Sequence, residues 1–337
     1  MDTYVDNVLP LALRWLEQGE RVALATVVQT WGSSPRQTGS QLAVNAAGEF
    51  QGSVSGGCVE GAVISTAKNV MTSGRAELAE FSVSDDQAWD VGLACGGTVR
   101  IYVEPLCERR IVTAGQIASQ IEQGLGAILV TRLSTSEQQL LSADAPEDWP
   151  VELASEIADA VVADRSKTVV VGDQEWFIHL FSPPLTMVVL GAVHITQALV
   201  PVASLCGYQV RVIDPRRAFT TENRFPGVEY FAQWPQQVLE QVKVDRRTAF
   251  VALTHDPKID DPGLQVALAS DAFYIGALGS RKTQQARRQR LADSGFGPAD
   301  LDRIKGPVGL DIGAASPAEI AIAIMAEITQ VLRQPTR

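Results

Sequence analysis

The chain has 337 residues, 46% of them hydrophobic, which is enough to bury more than one core and predicts two domains. With 28 basic against 39 acidic residues the net charge is -11, which excludes gripping a nucleic acid or an anionic membrane surface by overall charge. No apolar run approaches the roughly 18 residues of a membrane-spanning helix, and the acidic start "MDTYVD" lacks a signal peptide's basic region, so a cytoplasmic protein without membrane insertion is expected.

Val5, Val8, Leu9, Ala12, Trp15 and Leu16 fall at helical spacing and predict an amphipathic first helix. The runs "RVALATVVQT", "SQLAVNAAGEFQGSV" and "GTVRIYVEPL" predict strands between glycine-rich turns, with a helix over "CVEGAVISTAKNVM". "IVTAGQIASQIEQG" reads as a helix and "GAILVTRL" as a strand, while "STSEQQLLSADAPEDWP" has no periodicity and reads as a surface loop. "VELASEIADAVVA" resumes the helical period, and "TVVVGDQEWFIHLF" alternates around Gly172-Asp173 as a β-hairpin does. Residues 1–182 thus predict a mixed α/β domain. The prolines of "SPP" stop helix and ladder alike and mark a linker.

From residue 185 to 337 strands and helices alternate. "LTMVVLG", "YQVRVID", "TAFVALT" and "AFYIGALG" read as strands; "ITQALVPVASLCG", "TQQARRQRLADSG" and "PAEIAIAIMAEITQVLRQ" read as helices. This spacing predicts a Rossmann-like, doubly wound parallel sheet. The last helix has a start signal, with Ser316 as cap, Pro317 in the first helical position and Glu319 reaching back.

Four cysteines in a chain of this length are no disulfide framework, and no C-x-x-C pair suggests zinc. Cys58 follows Gly56 and Gly57 and precedes a helix, whose positive end lowers a thiol pKa or attracts an anion. The bland reading is a small cysteine packed behind a tight turn. Cys95 precedes Gly96 and Gly97, so two thiols beside double glycines are able to face one cavity. Cys107 and Cys206 lack glycine neighbours and read as packing. The loop "TWGSSPRQTGS" offers small hydroxyls such as Ser34, and Arg36 as a forked donor for phosphate or carboxylate. Its alternative is a hairpin turn with a solvated arginine.

In the second half "VVLGAVHITQAL" stands where a dinucleotide fingerprint belongs, and Asp214 ends the next strand, where a ribose-binding carboxylate is expected. Of the glycine code only Gly191 remains. Val193 puts methyls where a pyrophosphate needs bare backbone, so NAD is disfavoured. "YIGALGSRKT" departs from a P-loop at Arg281, but Gly279, Ser280, Arg281 and Lys282 sit between strand and helix, where an anion compensates basic residues at a helix start. Two other functions use subsets of these motifs: an NAD(P)-dependent oxidoreductase built on Gly191 and Asp214, and a thiol redox protein pairing Cys58 with Cys95.

The ordered set "GSSPRQTGSQLAV", "GSVSGGCVEGAV", "GLACGGTVRIYVEPL", "LTMVVLGAVHITQALV", "VRVIDPRRAF", "YIGALGSRKT" and "PVGLDIGAASPAEIAIAIMAEI" resembles the XdhC/CoxI family. These are accessory proteins of molybdenum hydroxylases such as xanthine dehydrogenase and carbon monoxide dehydrogenase. The resemblance implies a maturation factor rather than an enzyme. It would bind the molybdenum cofactor, as molybdopterin or its dinucleotide form, protect it, assist its sulfuration and insert it into an apo molybdenum hydroxylase. A cysteine desulfurase is the implied second partner, and a homo-oligomer is left open. On this reading the glycines admit the cofactor, basic residues and glycine loops take its phosphate, and Cys58, with Cys95 beside it, contacts molybdenum or handles sulfur.

Overall fold

The computed structural model describes residues 7–32, 36–57, 59–82, 97–141 and 150–333. The chain divides into two compact units, Asp6–Pro183 and Pro184–Arg337.

In the first unit, α1 (Leu9–Glu17) leads to β1 (Val22–Gly32), β2 (Gln41–Asn45), β3 (Phe50–Gly52), α2 (Glu60–Ser73), β4 (Glu77–Ser82) and β5 (Gly97–Pro105). The five strands form an antiparallel sheet in the order β3-β2-β1-β5-β4. After α3 (Glu108–Glu122) come β6 (Ala127–Arg132), β7 (Glu137–Leu141), α4 (Val151–Ala163), β8 (Lys167–Val171) and β9 (Gln174–Phe181), which give a second antiparallel sheet, β7-β6-β9-β8. β1 is apolar on both sides because both faces are covered. Ala23, Ala25 and Val27 pack with Val63, Ala67 and Val70 of α2, while Val22 and Leu24 pack with Leu9 and Trp15 of α1 and Ile117 of α3.

β7 lies in the segment that the composition reads as a loop. Gln138 turns toward buried Glu104 and donates to both its carboxylate oxygens, at 2.8 and 3.0 Å. A strand at a sheet edge whose inward side is polar shows no hydrophobic alternation, which is why its sequence hides it.

The second unit is a parallel sheet covered on both faces. Its strands are β10 (Leu185–Leu190), β11 (Tyr208–Ile213), β12 (Glu229–Phe231), β13 (Thr248–Ala252), β14 (Tyr274–Ala277) and β15 (Ile304–Lys305). The intervening helices are α5 (His194–Leu205), α6 (Pro235–Leu239), α7 (Pro257–Leu268), α8 (Arg281–Asp293) and α9 (Pro298–Asp302), with α10 (Pro317–Arg333) at the end. The order β12-β11-β10-β13-β14-β15 is the 3-2-1-4-5-6 order of dinucleotide-binding folds. Leu199 and Ala203 of α5 and Ile324 and Ile328 of α10 cover one face; Leu264 and Leu268 of α7 and Leu291 of α8 cover the other.

The capping signal of α10 is realised, since Glu319 accepts the Ser316 N–H at 2.8 Å and Ser316 Oγ accepts the Glu319 N–H at 3.3 Å. Helix α7 is an addition to the elements read from the sequence. Its Pro262-Gly263 pair looks like a breaker, yet Gly263 is needed because any Cβ there would run into Leu190 of β10. Among the described residues no helix is long and apolar enough to cross a membrane.

Candidate functional site

Register brings three of the predicted segments of the first unit to one end of its five-stranded sheet. Gly32 at the end of β1 pairs with Gly97 at the start of β5, and Gly52 at the end of β3 pairs with Leu42 at the start of β2. Arg36 then ties two segments together, its Nε donating to the Ser53 carbonyl at 3.0 Å. Arg36 is therefore no solvated turn residue. Ser34, Cys58, Cys95 and Gly96 lie outside the described residues.

The loop from Ser53 to Gly57 is wrapped around one carboxylate. Glu60, in the first turn of α2, accepts Ser53 Oγ–H at 2.7 Å and the N–H groups of Val54, Ser55 and Gly57 at 3.2, 3.0 and 2.9 Å, together with the Ser55 hydroxyl. Burial alone would raise its pKa, but the hydrogen bonds from Ser55 and Ser53 outweigh that and hold it at about 2. The helix itself begins at Glu60, with Val59 as its N-cap residue. This corrects the expectation of a free anion site at the glycine turn, because the donors that a phosphate would use are already occupied. The outer side of the turn is nevertheless open. Gly56 and Gly57 are exposed, with φ of +79° and +116°, and a Cβ on Gly57 would meet nothing within 4 Å among the described residues. The turn needs glycine for its backbone angles and leaves room in front of it.

Cys107 and Cys206, expected to be packed, are both exposed. Each stands at a helix end, Cys107 as the N-cap of α3 and Cys206 as the C-cap of α5, where the chain turns out of the core.

Between the two sheets of this unit lies a cavity of about 30 Å³, whose lining includes Thr26, Gln41, Glu104, Thr131 and His179. That is room for one or two waters at about 15 Å³ each, far too little for a cofactor. Glu104 pairs with Arg110 at 2.9 Å, and burial nevertheless pushes its carboxyl up. His179 Nε2 lies 3.1 Å from the Gly39 carbonyl, and burial depresses its pKa to about 4.

In the second unit the ends of the parallel strands carry the remaining candidates. Gly191 follows β10 with φ +107°, and a Cβ there would lie 2.7 Å from Thr254 Cγ2 and 3.2 Å from the Thr254 nitrogen. Asp214 follows β11 and is wholly buried. Its Oδ2 accepts the Ala192 N–H at 2.8 Å, its Oδ1 accepts the Arg216 N–H at 3.0 Å, and the Arg216 guanidinium holds both oxygens, at 2.8 and 2.6 Å. Burial works against the charge, but these partners keep its carboxyl below the usual range. The geometry gives Asp214 a different task from the expected ribose contact: it pins the turn after β10.

The loop after β14 behaves otherwise. Gly279 has φ +142°, Ser280 caps α8 by accepting the Thr283 N–H at 3.2 Å, and Arg281 and Lys282 begin the helix with exposed side chains. No acidic residue stands in that first turn. Two cations at the positive end of a helix are unfavourable without a counter-charge.

Sequence reading missed a buried cluster beneath this edge. Asp260 of α7 accepts Thr254 Oγ1–H at 2.6 Å, the Thr254 N–H at 3.3 Å and the His255 N–H at 3.0 Å, and Arg287 of α8 stands 3.7 Å away. Burial raises the Asp260 carboxyl despite the pull of Thr254 and Arg287. The cluster holds exposed His255 at φ +61°, a conformation costly for any residue with a Cβ. Its signal was present in "DPKIDD", where Asp256 caps α7 by accepting the Lys258 N–H at 2.9 Å and Pro257 takes the first position, as Ser316-Pro317 do in α10. Among the described residues no group of three or more His, Cys, Asp or Glu side chains could hold a metal ion.

Fold and site together define a two-unit α/β protein, one unit a Rossmann-type sheet, the other two antiparallel sheets gathering glycine loops at one end. Residues 187–328 match the XdhC Rossmann domain and residues 15–82 match the XdhC and CoxI family, and the chain belongs to that family. It is 28% identical to the Escherichia coli molybdenum cofactor insertion chaperone PaoD, over 96% of this chain and 88% of that one. It is also 28% identical to a probable xanthine dehydrogenase subunit of Bacillus subtilis, over 95% of this chain and 96% of that one. A crystal structure of a xanthine dehydrogenase from Bacillus halodurans superposes with a TM-score of 0.79 at 26% identity, over 98% of this chain and 96% of that one.

Proposed function

We propose that this protein is a molybdenum cofactor carrier that protects the cofactor, assists its sulfuration and inserts it into a xanthine dehydrogenase or carbon monoxide dehydrogenase type hydroxylase. The observation that carries this reading is the 28% identity to PaoD across both units. The residues fit such a group on two counts. Exposed Gly57, next to Cys58 in the sequence, has nothing within 4 Å of a Cβ built on it among the described residues, and exposed Arg281 and Lys282 at the start of α8 suit an anionic substituent.

When bound, the cofactor supplies a soft molybdenum-dithiolene centre, which thiolates of Cys58 and Cys95 are chemically suited to meet or to serve with sulfur. Gly56, Gly57, Gly96 and Gly97 leave the backbone bare there. Arg36 orders this region through Ser53, with Ser34 close to it in sequence. Gly279, Ser280, Arg281 and Lys282 form a separate anion-binding surface in the second unit, while Gly191 and Asp214 shape its first turn. An apo hydroxylase is the receiving partner, and a cysteine desulfurase is the sulfur source.

The test is binding of isolated molybdenum cofactor to the purified chain under anoxic conditions, with NAD as control ligand and Cys58→Ala as variant. Stoichiometric binding by the wild type, lost in the variant and absent for NAD, supports the carrier and the role of Cys58. NAD binding without cofactor binding overturns it in favour of a nicotinamide-dependent oxidoreductase.

A further inference from the structure

The backbone on both sides of Cys58 is fixed through one side chain. The Gly57 N–H donates to Glu60 directly, at 2.9 Å. The Val59 N–H donates to Ser55 Oγ at 2.9 Å, and that hydroxyl in turn donates to Glu60. The Gly56 N–H donates to Ser53 Oγ at 2.9 Å, which also donates to Glu60. Successive N–H groups converging on one negative charge form a backbone nest, a device that elsewhere cradles phosphate.

We infer that Glu60 is the positioning residue of this loop, supplying from within the chain the anion around which Ser53–Gly57 fold and so holding the two residues that flank Cys58. The argument is one of donors and acceptors. Val54 and Ser55 are buried, and without Glu60 their N–H groups lose their acceptor while the two serine hydroxyls lose theirs. Glutamine is no substitute, because the nest presents donors to both carboxylate oxygens and an amide nitrogen would face them with hydrogens of its own. Only the importance of Cys58 is taken from the cofactor-carrier reading; the loop geometry stands without it.

The experiment is amide hydrogen exchange on the full-length chain, comparing wild type with Glu60→Ala and Glu60→Gln, each with and without acetate. Glu60→Ala is expected to speed exchange at Ser55, Gly57 and Val59 by at least about tenfold while Val63, Ala67 and Val70 of α2 keep their protection. Acetate, which can enter the vacated nest, is expected to restore that protection in a saturable way and to leave the wild type unchanged. Rescue by a carboxylate is not a property of general destabilisation. Unchanged loop exchange in the variants, or acceleration that acetate does not reverse in Glu60→Ala, overturns the proposal. Should Glu60→Ala fail to fold, Glu60→Gln decides, since its loop exchange must rise likewise. The measurement needs no cofactor, so a failed cofactor-binding assay beside a confirmed nest would count against the carrier reading alone.

Discussion

Asp214 Oδ2 accepts the Ala192 N–H at 2.8 Å, so the acid at the end of the second parallel strand holds the turn at the end of the first. Asp214→Ala leaves that N–H and the Arg216 N–H without their acceptor and strips a guanidinium of its partner. The expected loss is about 3 kcal/mol in the second unit, measured by denaturant unfolding. A loss within error of zero would mean that the turn is held by other contacts.

The same turn explains why Gly191 survives where the rest of the glycine code is gone. Gly191→Ala is expected to cost about 1 to 3 kcal/mol, from its positive φ and from the Thr254 methyl 2.7 Å from the new Cβ. Thr254→Ser removes that methyl. In the double variant part of the loss should return, and strictly additive losses would show that backbone strain alone dictates the glycine.

Buried His179 makes the first unit acid-sensitive. Its pKa is held at about 4 against an ordinary 6.5, so between those values the unfolded chain takes up a proton that the folded chain refuses. Stability is therefore intact above pH 6.5, falls as the pH drops toward 4 and levels off below. At about 1.4 kcal/mol per pH unit the span is worth about 3 kcal/mol. His179→Gln should remove this share of the pH dependence. Identical stability-versus-pH curves for the two proteins would place the acid sensitivity elsewhere.

Arg281 and Lys282 are exposed in the first turn of α8. Replacing both with glutamine should lower affinity for the molybdenum cofactor by about tenfold or more and leave the unfolding midpoint in place, as loss of two charge-assisted contacts predicts. Equal affinity in titration would remove the start of α8 from the binding surface.

The parallel sheet was legible because its strands are buried on both faces and read as unbroken apolar runs, such as "TMVVL", between helical periods. β7 was not legible, since Gln138 faces inward to a buried carboxylate and erases the alternation. α7 was obscured by Pro262-Gly263, a pair that serves close packing on Leu190 rather than a turn. The candidate site was legible in the sequence only through conspicuous residue types, its glycines and cations, while the thiols Cys58 and Cys95 lie outside the described residues. The acids that organise the site were not legible. Glu60 and Asp260 look like ordinary charges in the first turn of a helix until the loop before each is seen folding back onto it.

Glu60 has a consequence for timing. A loop that depends on its ligand for order must refold at every arrival and collapse at every departure, which slows both steps and leaves a soft, sticky surface between them. A loop that carries its own counter-ion keeps one shape through the whole cycle. On the carrier reading proposed above, loading and unloading become surface exchanges beside a Ser53–Gly57 backbone that Glu60 already holds.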